Sequence, residues 1–418
     1  MIALMDCNNF FVSCERTVRP DLEKKPVLVL SNNDGCVIAR SNEVKALGIK
    51  MGQPFFQIKE LVKKHGINCF SSNFILYEDV SHRVMQLLEQ FAPNPEVYSV
   101  DEAFLHLPDD TSRLRQIGND IVKTIDQQIG IPVSVGIAPT KTLAKAAADI
   151  AKKDARYHGV ACVDTPAKIA TLQGMLPIGD VWGIGRRYAQ FLTSNGIVTA
   201  KDFVDKPQQW VRRHMSVVGE KTWRELQGEP CFEYNRSPEK RQQIMVSRSF
   251  ASVITTFEAL RGPVALFAAS AAHKLRQQGM VAAQIEVFLS NGRFPADNAA
   301  KVWQSTIVPF ATPVSNTTEI TNAALQGLKC IVSNGVKYKQ AGVVLRSLSH
   351  QEGIQADLFD TVDHDKHQKI SAVMDRINQS YGRNYLRLAI QATESPSRQE
   401  MLSSKQPTRT DERNKKKH

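Results

Sequence analysis

Residues 98–107 read YSVDEAFLHL, and this stretch limits the folds open to the chain more than any other. Asp101 and Glu102 stand side by side in a run whose flanks, Tyr-Ser-Val and Ala-Phe-Leu, are rich in strand formers. Adjacent carboxylates repel, and partial burial raises the cost. A bound cation is one remedy; a solvated turn between two strands is the other. A second feature bears on the choice. The apolar run from Ile2 to Met5 predicts a short strand that ends at Asp6. If the two strands are neighbours in one sheet, three carboxylates meet in a small volume. Hard oxygen ligands in that number suit Mg²⁺, which also takes oxygens from substrate phosphates. Two such ions would activate a 3′-hydroxyl and stabilise a leaving pyrophosphate.

The surrounding pattern interleaves strands and helices. Val27 to Leu30 and Cys36 to Ala39 predict strands on either side of an Asn33-Asp34-Gly35 turn, followed by a short helix from Asn42 closed near Gly48. Val80, Val84, Leu87, Leu88 and Phe91 share one helical face. After the hairpin come a helix over Leu114 to Ile129, the strand PVSVGIA and the helix TKTLAKAAADIAKK. This predicts an α/β or α+β domain over about residues 1–164. The strand signal fades from Pro166 to Pro238, and the polar, basic RSPEKRQQ at 236–243 reads as a linker. A second α/β unit follows, with helices around Ala265 to Gln277 and Thr318 to Ser333, and strands in AQIEVFLSN and QAGVVLRSLS. The tail from Glu394 is too polar and basic to bury a core. With 418 residues, several domains are expected.

Charge narrows the partners. Lys and Arg outnumber Asp and Glu by 53 to 42, a net +11 that favours a polyanion. Cations also gather in the predicted domain: Arg40, Ser41 and Lys45 in ARSNEVK, and Lys141 just inside a helix N-terminus that favours anions. Beside three carboxylates these fit a triphosphate seat; alone, Lys141 and Lys145 would pass for a solvated helix face. VWGIGRR places Gly183, Ile184 and Gly185 between helical stretches, like a helix-hairpin-helix whose amides bind a DNA phosphate without reading sequence, with Arg186 and Arg187 adding charge. A plain helix–helix turn has the same spacing. QADLF puts Gln355, Leu358 and Phe359 in a polar stretch, as a short docking motif does, or as a loop folded back on its own domain would. His364 and His367 read as surface residues. Seven scattered cysteines without a C-x-x-C argue against a disulfide framework and a zinc site and fit a reducing cytoplasm. The N-terminus lacks the basic region of a signal peptide, and no apolar run approaches the ~20 residues of a membrane helix.

In order and at suitable distances, MDCNNFFVSCE, SNNDGCVIARSNEVKALGIKMG, YSVDEAF, VGIAPTKTLAK and VWGIGRR resemble the Y-family translesion DNA polymerases, and among them the UmuC-type catalytic subunits of bacterial DNA polymerase V. The resemblance runs from Met1 to about Gln391. It implies an α+β right-hand polymerase with a C-terminal α/β little-finger domain. Palm would be residues 1–19 and 71–164, fingers 20–70, thumb 166–235 and little finger 244–349. A clamp-binding and C-terminal region would fill 350–393, before a disordered tail at 394–418. By position, Asp6, Asp101, Glu102 and the backbone carbonyl of Cys7 would hold two Mg²⁺ ions. Arg40, Ser41, Lys45 and Lys141 would bind the incoming dNTP. Phe11 falls at the steric gate that excludes a ribose 2′-hydroxyl. The branch usually carries Tyr there, so Phe keeps the ring and lacks the hydroxyl. Gly183, Ile184, Gly185 and Arg186 would hold primer–template DNA. Gln355, Leu358 and Phe359 would dock on the sliding clamp. The resemblance further implies a UmuD-type accessory dimer and RecA as partners, and error-prone synthesis past damage in the SOS response, without proofreading. Two rivals share parts of this pattern. Another palm-fold enzyme such as a nucleotide cyclase needs neither the hairpin turn nor the docking motif. An inactive DNA-binding scaffold would not need its carboxylates.

Overall fold

The computed structural model describes the chain apart from residues 32–33, 109–111, 234–241, 293–300, 334, 352–361, 383–384 and 392–418. Two compact units divide between Pro238 and Glu239. In the first, β1 (Ile2–Cys7) and α1 (Phe10–Val18) lead into a three-stranded sheet of β2 (Val27–Leu30), β3 (Val37–Arg40) and β4 (Asn68–Ser71) in the order β3-β2-β4. The short helices α2 (Asn42–Ala46) and α3 (Lys59–Lys64) belong to this segment. Then follow α4 (Phe74–Leu88), β5 (Glu96–Val97), β6 (Glu102–His106), α5 (Leu114–Ile129), β7 (Val133–Ala138), α6 (Lys141–Lys153) and β8 (Val160–Cys162). Five of these strands form a sheet in the order β5-β6-β1-β7-β8, with only the β7–β8 pair parallel.

The sequence of β1 explains its central place. Ile2 and Leu4 face one side and Ala3 and Met5 the other, and all four are buried. One face packs Ala3, Met5, Leu105 and Val135 against α4 and α5, including Val84, Leu88, Ile121 and Ile125. The other packs Ile2, Leu4 and Phe104 against the alanine-rich side of α6. That helix lies unusually close, because Gly136 on β7 has no side chain. An added methyl carbon there would sit 2.1 Å from Ala148 N and 2.2 Å from Ala144 O. Five helices complete the unit, as the fading strand signal predicts: α7 (Pro166–Met175), α8 (Arg186–Ser194), α9 (Ala200–Val204), α10 (Gln208–His214) and α11 (Val217–Leu226).

The second unit carries β9 (Gln243–Ile254), α12 (Phe257–Gln277), β10 (Met280–Ser290), β11 (Trp303–Val314), α13 (Thr317–Ile331), β12 (Tyr338–His350) and α14 (His364–Tyr381). Its antiparallel sheet, ordered β11-β10-β12-β9, shares one apolar core with α12 and α13. Three elements differ from the sequence reading. α12 begins a full two turns before Ala265, because Thr256 caps it through Ala259 N and Pro263 lies in its interior without ending it. β11 and α14 lie outside the elements the sequence reading delimits, although Ile370, Val373, Met374 and Ile377 recur at helical spacing. β11 exposes Trp303 and Ile307, and α14 buries only Ser371 and Met374. Most of the predicted linker, the docking motif at 355–359 and the basic tail lie outside the described residues. No helix among the described residues is long and apolar enough to cross a membrane.

Candidate functional site

The strand pairing on which the three-carboxylate idea depends is present. β1 and β6 are antiparallel neighbours with Asp6 directly opposite Glu102, and Cys7 N donates to Asp101 O at 2.9 Å. All three acidic residues therefore lie at one end of two adjacent strands. Asp101 sits in the turn just before β6, where its Oδ1 accepts from Ser99 Oγ at 2.5 Å. The side chains do not form a closed cage. Among the described residues no three His, Cys, Asp or Glu side chains converge closely enough to hold a metal as they stand.

Lysines occupy the space between them. Lys145 Nζ donates to both Glu102 oxygens at 2.7 and 2.6 Å, and Lys152 Nζ donates to Asp6 Oδ1 at 2.5 Å. Burial lifts the Glu102 carboxyl above its ordinary value; Lys145 opposes that rise and the Asp6 charge adds to it. Glu102 and Asp6 accept from ammonium groups and Asp101 from the Ser99 hydroxyl, and carboxylate oxygens are the donors that hard divalent cations take.

Helix α6 explains how one element reaches so many acids. Lys141, Lys145 and Lys152 are spaced by four and seven residues, which places them on one face. They meet Glu96 on β5, Glu102 on β6 and Asp6 on β1, in the order of the strands. Sequence reasoning named Lys141 and Lys145, as part of a triphosphate seat or as a solvated face, and missed Lys152. The available signal was their helical spacing, which also fits a solvated face.

Two of the expected nucleotide contacts have partners within the chain. Lys141 is buried: its Nζ donates to both Glu96 oxygens at 2.8 and 2.7 Å and to Glu233 O at 2.7 Å. Nor is the N-terminus of α6 open to a phosphate. Its anion is the chain's own Glu225 on α11, 1 % exposed, which accepts from Thr142 N at 3.0 Å, Cys231 N at 2.7 Å and Phe232 N at 3.1 Å. Ser41 is fully buried as the cap of α2, accepting from Val27 N at 3.1 Å and Val44 N at 3.4 Å. Arg40 is partly committed, with Nη1 donating to Ile49 O, while its buried Nε has no partner. Lys45 does face the carboxylate end. Its ammonium is lowered by burial and by Lys152 and Arg40, with Asp6 opposing the shift. Of these cations Lys152 bonds Asp6 directly, and Lys45 feels the charges of Lys152, Arg40 and Asp6.

Phe11 stacks on Tyr77 with centroids 4.4 Å apart and planes 15° apart, and Phe74 meets it edge-on at 6.0 Å. Tyr77 is itself fixed by donating to the buried Glu15 at 2.7 Å. The ring of Phe11 is therefore braced from behind. In the VWGIGRR turn, Gly183, Gly185, Arg186 and Arg187 are exposed, whereas Ile184 is buried in the core with Ile178 and Leu192. The Ile184 side chain is sealed in that core, and its N–H donates to Val181 O at 3.0 Å.

Comparison with known proteins agrees with this geometry. Residues 5–149 match the impB/mucB/samB family, residues 241–358 match the C-terminal domain of that family, and residues 368–412 match a domain of unknown function. The chain is 41% identical to the protein UmuC of Salmonella typhimurium over 98% of both chains, and 38% identical to ImpB of the same species over 91% of both. Among solved structures it resembles a Y-family DNA polymerase chimera built on Dbh, with a TM-score of 0.69 and 21% identity, covering 84% of this chain and all of that one. The architecture is thus that of a right-hand polymerase. The chain belongs to the impB/mucB/samB family and, within the Y-family DNA polymerases, to the UmuC-type branch.

Proposed function

We propose that this chain is an error-prone, template-directed DNA polymerase of translesion synthesis, which adds nucleotides at Asp6, Asp101 and Glu102 with two Mg²⁺ ions. The observation that carries the reading is the β1–β6 register, with Asp6 opposite Glu102 and Asp101 one residue away. Carboxylate oxygens are the ligands Mg²⁺ prefers, and the Cys7 carbonyl is a fourth oxygen on the same strand end. When bound, the ions would lower the pKa of the primer hydroxyl and offset charge on the triphosphate. The chain's residues do the remainder. Lys45, Arg40 and Lys152 bind and orient the triphosphate, with Lys141 and Ser41 engaged within the chain. Phe11, braced on Tyr77, excludes a ribose 2′-hydroxyl. Gly183, Gly185 and Arg186 hold a phosphate of primer–template DNA without reading sequence.

Palm at 1–19 and 71–164, fingers at 20–70, thumb at 166–235 and little finger at 244–349 is the division this reading adopts. It also takes Gln355, Leu358 and Phe359 as the sliding-clamp contact, a UmuD-type accessory dimer and RecA as partners, and the bacterial cytoplasm as the compartment. Primer extension opposite an abasic site, with Mg²⁺ and with or without activated RecA and the accessory dimer, is the test. Extension past the lesion that disappears in Asp101→Ala, with primer–template binding retained, is expected. Extension at the parent rate in Asp101→Ala would remove the carboxylates from the chemistry. Clamp-stimulated synthesis should vanish when Leu358 and Phe359 are replaced by Ala.

A further inference from the structure

Lys145 has two partners, and only one of them is an acid. Its ammonium sits on both oxygens of Glu102, at 2.7 and 2.6 Å, and also lies over the ring of Tyr98, 5.1 Å from the centroid. Tyr98 belongs to the same turn as Asp101. Its N–H and that of Ser99 both donate to Glu102 O, at 3.0 and 3.1 Å. The residue is 47% exposed, yet its ring is fixed by its neighbours. Phe104 meets it edge-on at 5.8 Å, and Trp182 meets it at 5.5 Å with perpendicular planes. The Trp182 indole N–H also donates to the Tyr98 hydroxyl at 3.1 Å, and Trp182 is itself packed on Phe232, 5.2 Å away.

Lys145 must leave Glu102 before that carboxylate can take a divalent cation, because the two cations repel and share the same oxygens. The displaced ammonium then needs another seat, since a partly buried charge is costly to leave unpaired. An aromatic face attracts an ammonium within about 6 Å of its centroid, and Lys145 already lies inside that reach. A lysine can make the move by rotating its flexible stem. The ring counts for more after the move, because the carboxylate no longer competes for the ammonium. We propose that Tyr98 is a positioning residue: its face receives the Lys145 ammonium when a divalent cation takes Glu102, and Phe104 and Trp182 hold that face in place. The proposal rests on the metal reading of Asp6, Asp101 and Glu102, and adds to it the residue that lets the site be vacated.

The test is a titration of the full chain with Mn²⁺, in which the electron paramagnetic resonance signal of free Mn²⁺ reports binding without any turnover. Mn²⁺ takes the same oxygen ligands as Mg²⁺. The parent should bind Mn²⁺ at a site that Asp101→Ala removes. Tyr98→Leu should weaken that site about threefold, and Tyr98→Phe should stay close to the parent, since the face is what holds the ammonium. Taking away the competitor takes away the need for a seat. Lys145→Ala should therefore tighten Mn²⁺ binding, and in that background Tyr98→Leu should no longer change it. Equal affinities of the parent and Tyr98→Leu would overturn the transfer. So would a Tyr98→Phe variant as weak as Tyr98→Leu, or a Tyr98→Leu effect that persists without Lys145, which is what a packing defect would give. A parent that binds no Mn²⁺, or binds it no better than Asp101→Ala, overturns the metal reading and the transfer with it, so the two failures are distinguishable.

Discussion

The two ends of helix α6 handle carboxylates in different ways. At its first turn Glu225 is sealed from water and accepts from three backbone N–H groups, two of them on the segment after α11. Further along, Glu102 and Asp6 are partly open to water, and their α6 partners are ammonium groups on four-carbon stems. Backbone donors cannot leave an acceptor unless the chain itself moves. A lysine can, by rotating its stem, and another cation can take its place. The first arrangement fastens the helix; the second is open to exchange. Burial alone does not separate structural from functional acids here, but the kind of donor does.

Breaking the exchangeable end should have the largest effect. Asp101→Ala should reduce Mg²⁺-dependent primer extension by on the order of a thousandfold, measured by single-turnover kinetics, while melting temperature changes little. Breaking the fastened end should act on stability. Glu225→Ala leaves three N–H groups without their acceptor and should cost about 3 kcal/mol in urea unfolding. Glu225→Gln should recover only part of this, because its amide NH₂ must oppose at least one donor. A Glu225→Ala protein as stable as the parent would erase the contrast.

Smaller changes sharpen it. Lys152→Ala should raise KM for dNTP about tenfold with a lesser change in kcat, as expected for one lost charge-assisted contact to the triphosphate. An unchanged KM would mean that Lys152 serves Asp6 alone. Phe11→Ala should raise ribonucleotide incorporation relative to dNTP, and a constant ratio would acquit the braced ring of its gating role. Lys153, two-thirds exposed and paired with Asp149 one turn away, provides the baseline. Lys153→Ala should alter unfolding by less than ~0.5 kcal/mol and leave KM untouched.

Much of the carboxylate end was legible in the sequence. Apolar residues before Asp6 and around Asp101-Glu102 determine two strands, and their antiparallel pairing fixes which acids meet. Phe11 was singled out by family resemblance alone. The lysines were harder. A helix that crosses several strands brings residues seven apart to different acids, and only the packing of α6 on the sheet decides which. Lys141 looked like an anion binder because it starts a helix, yet its ammonium is taken by Glu96, and the helix N-terminus by Glu225, 83 positions after Thr142. Ser41 carried a cap signal and a ligand signal at once, and the cap took it. α14 carries Ile370, Val373, Met374 and Ile377 at helical spacing, a signal the sequence reading passed over.

Gly136 has a consequence for tolerance to change. The helix bearing Lys145 and Lys152 rests on bare backbone at this point, so one hydrogen atom sets the standoff between the two layers. Any bulkier residue would lift both ammonium groups together, and would part them from the carboxylate edge from behind without altering a single charge.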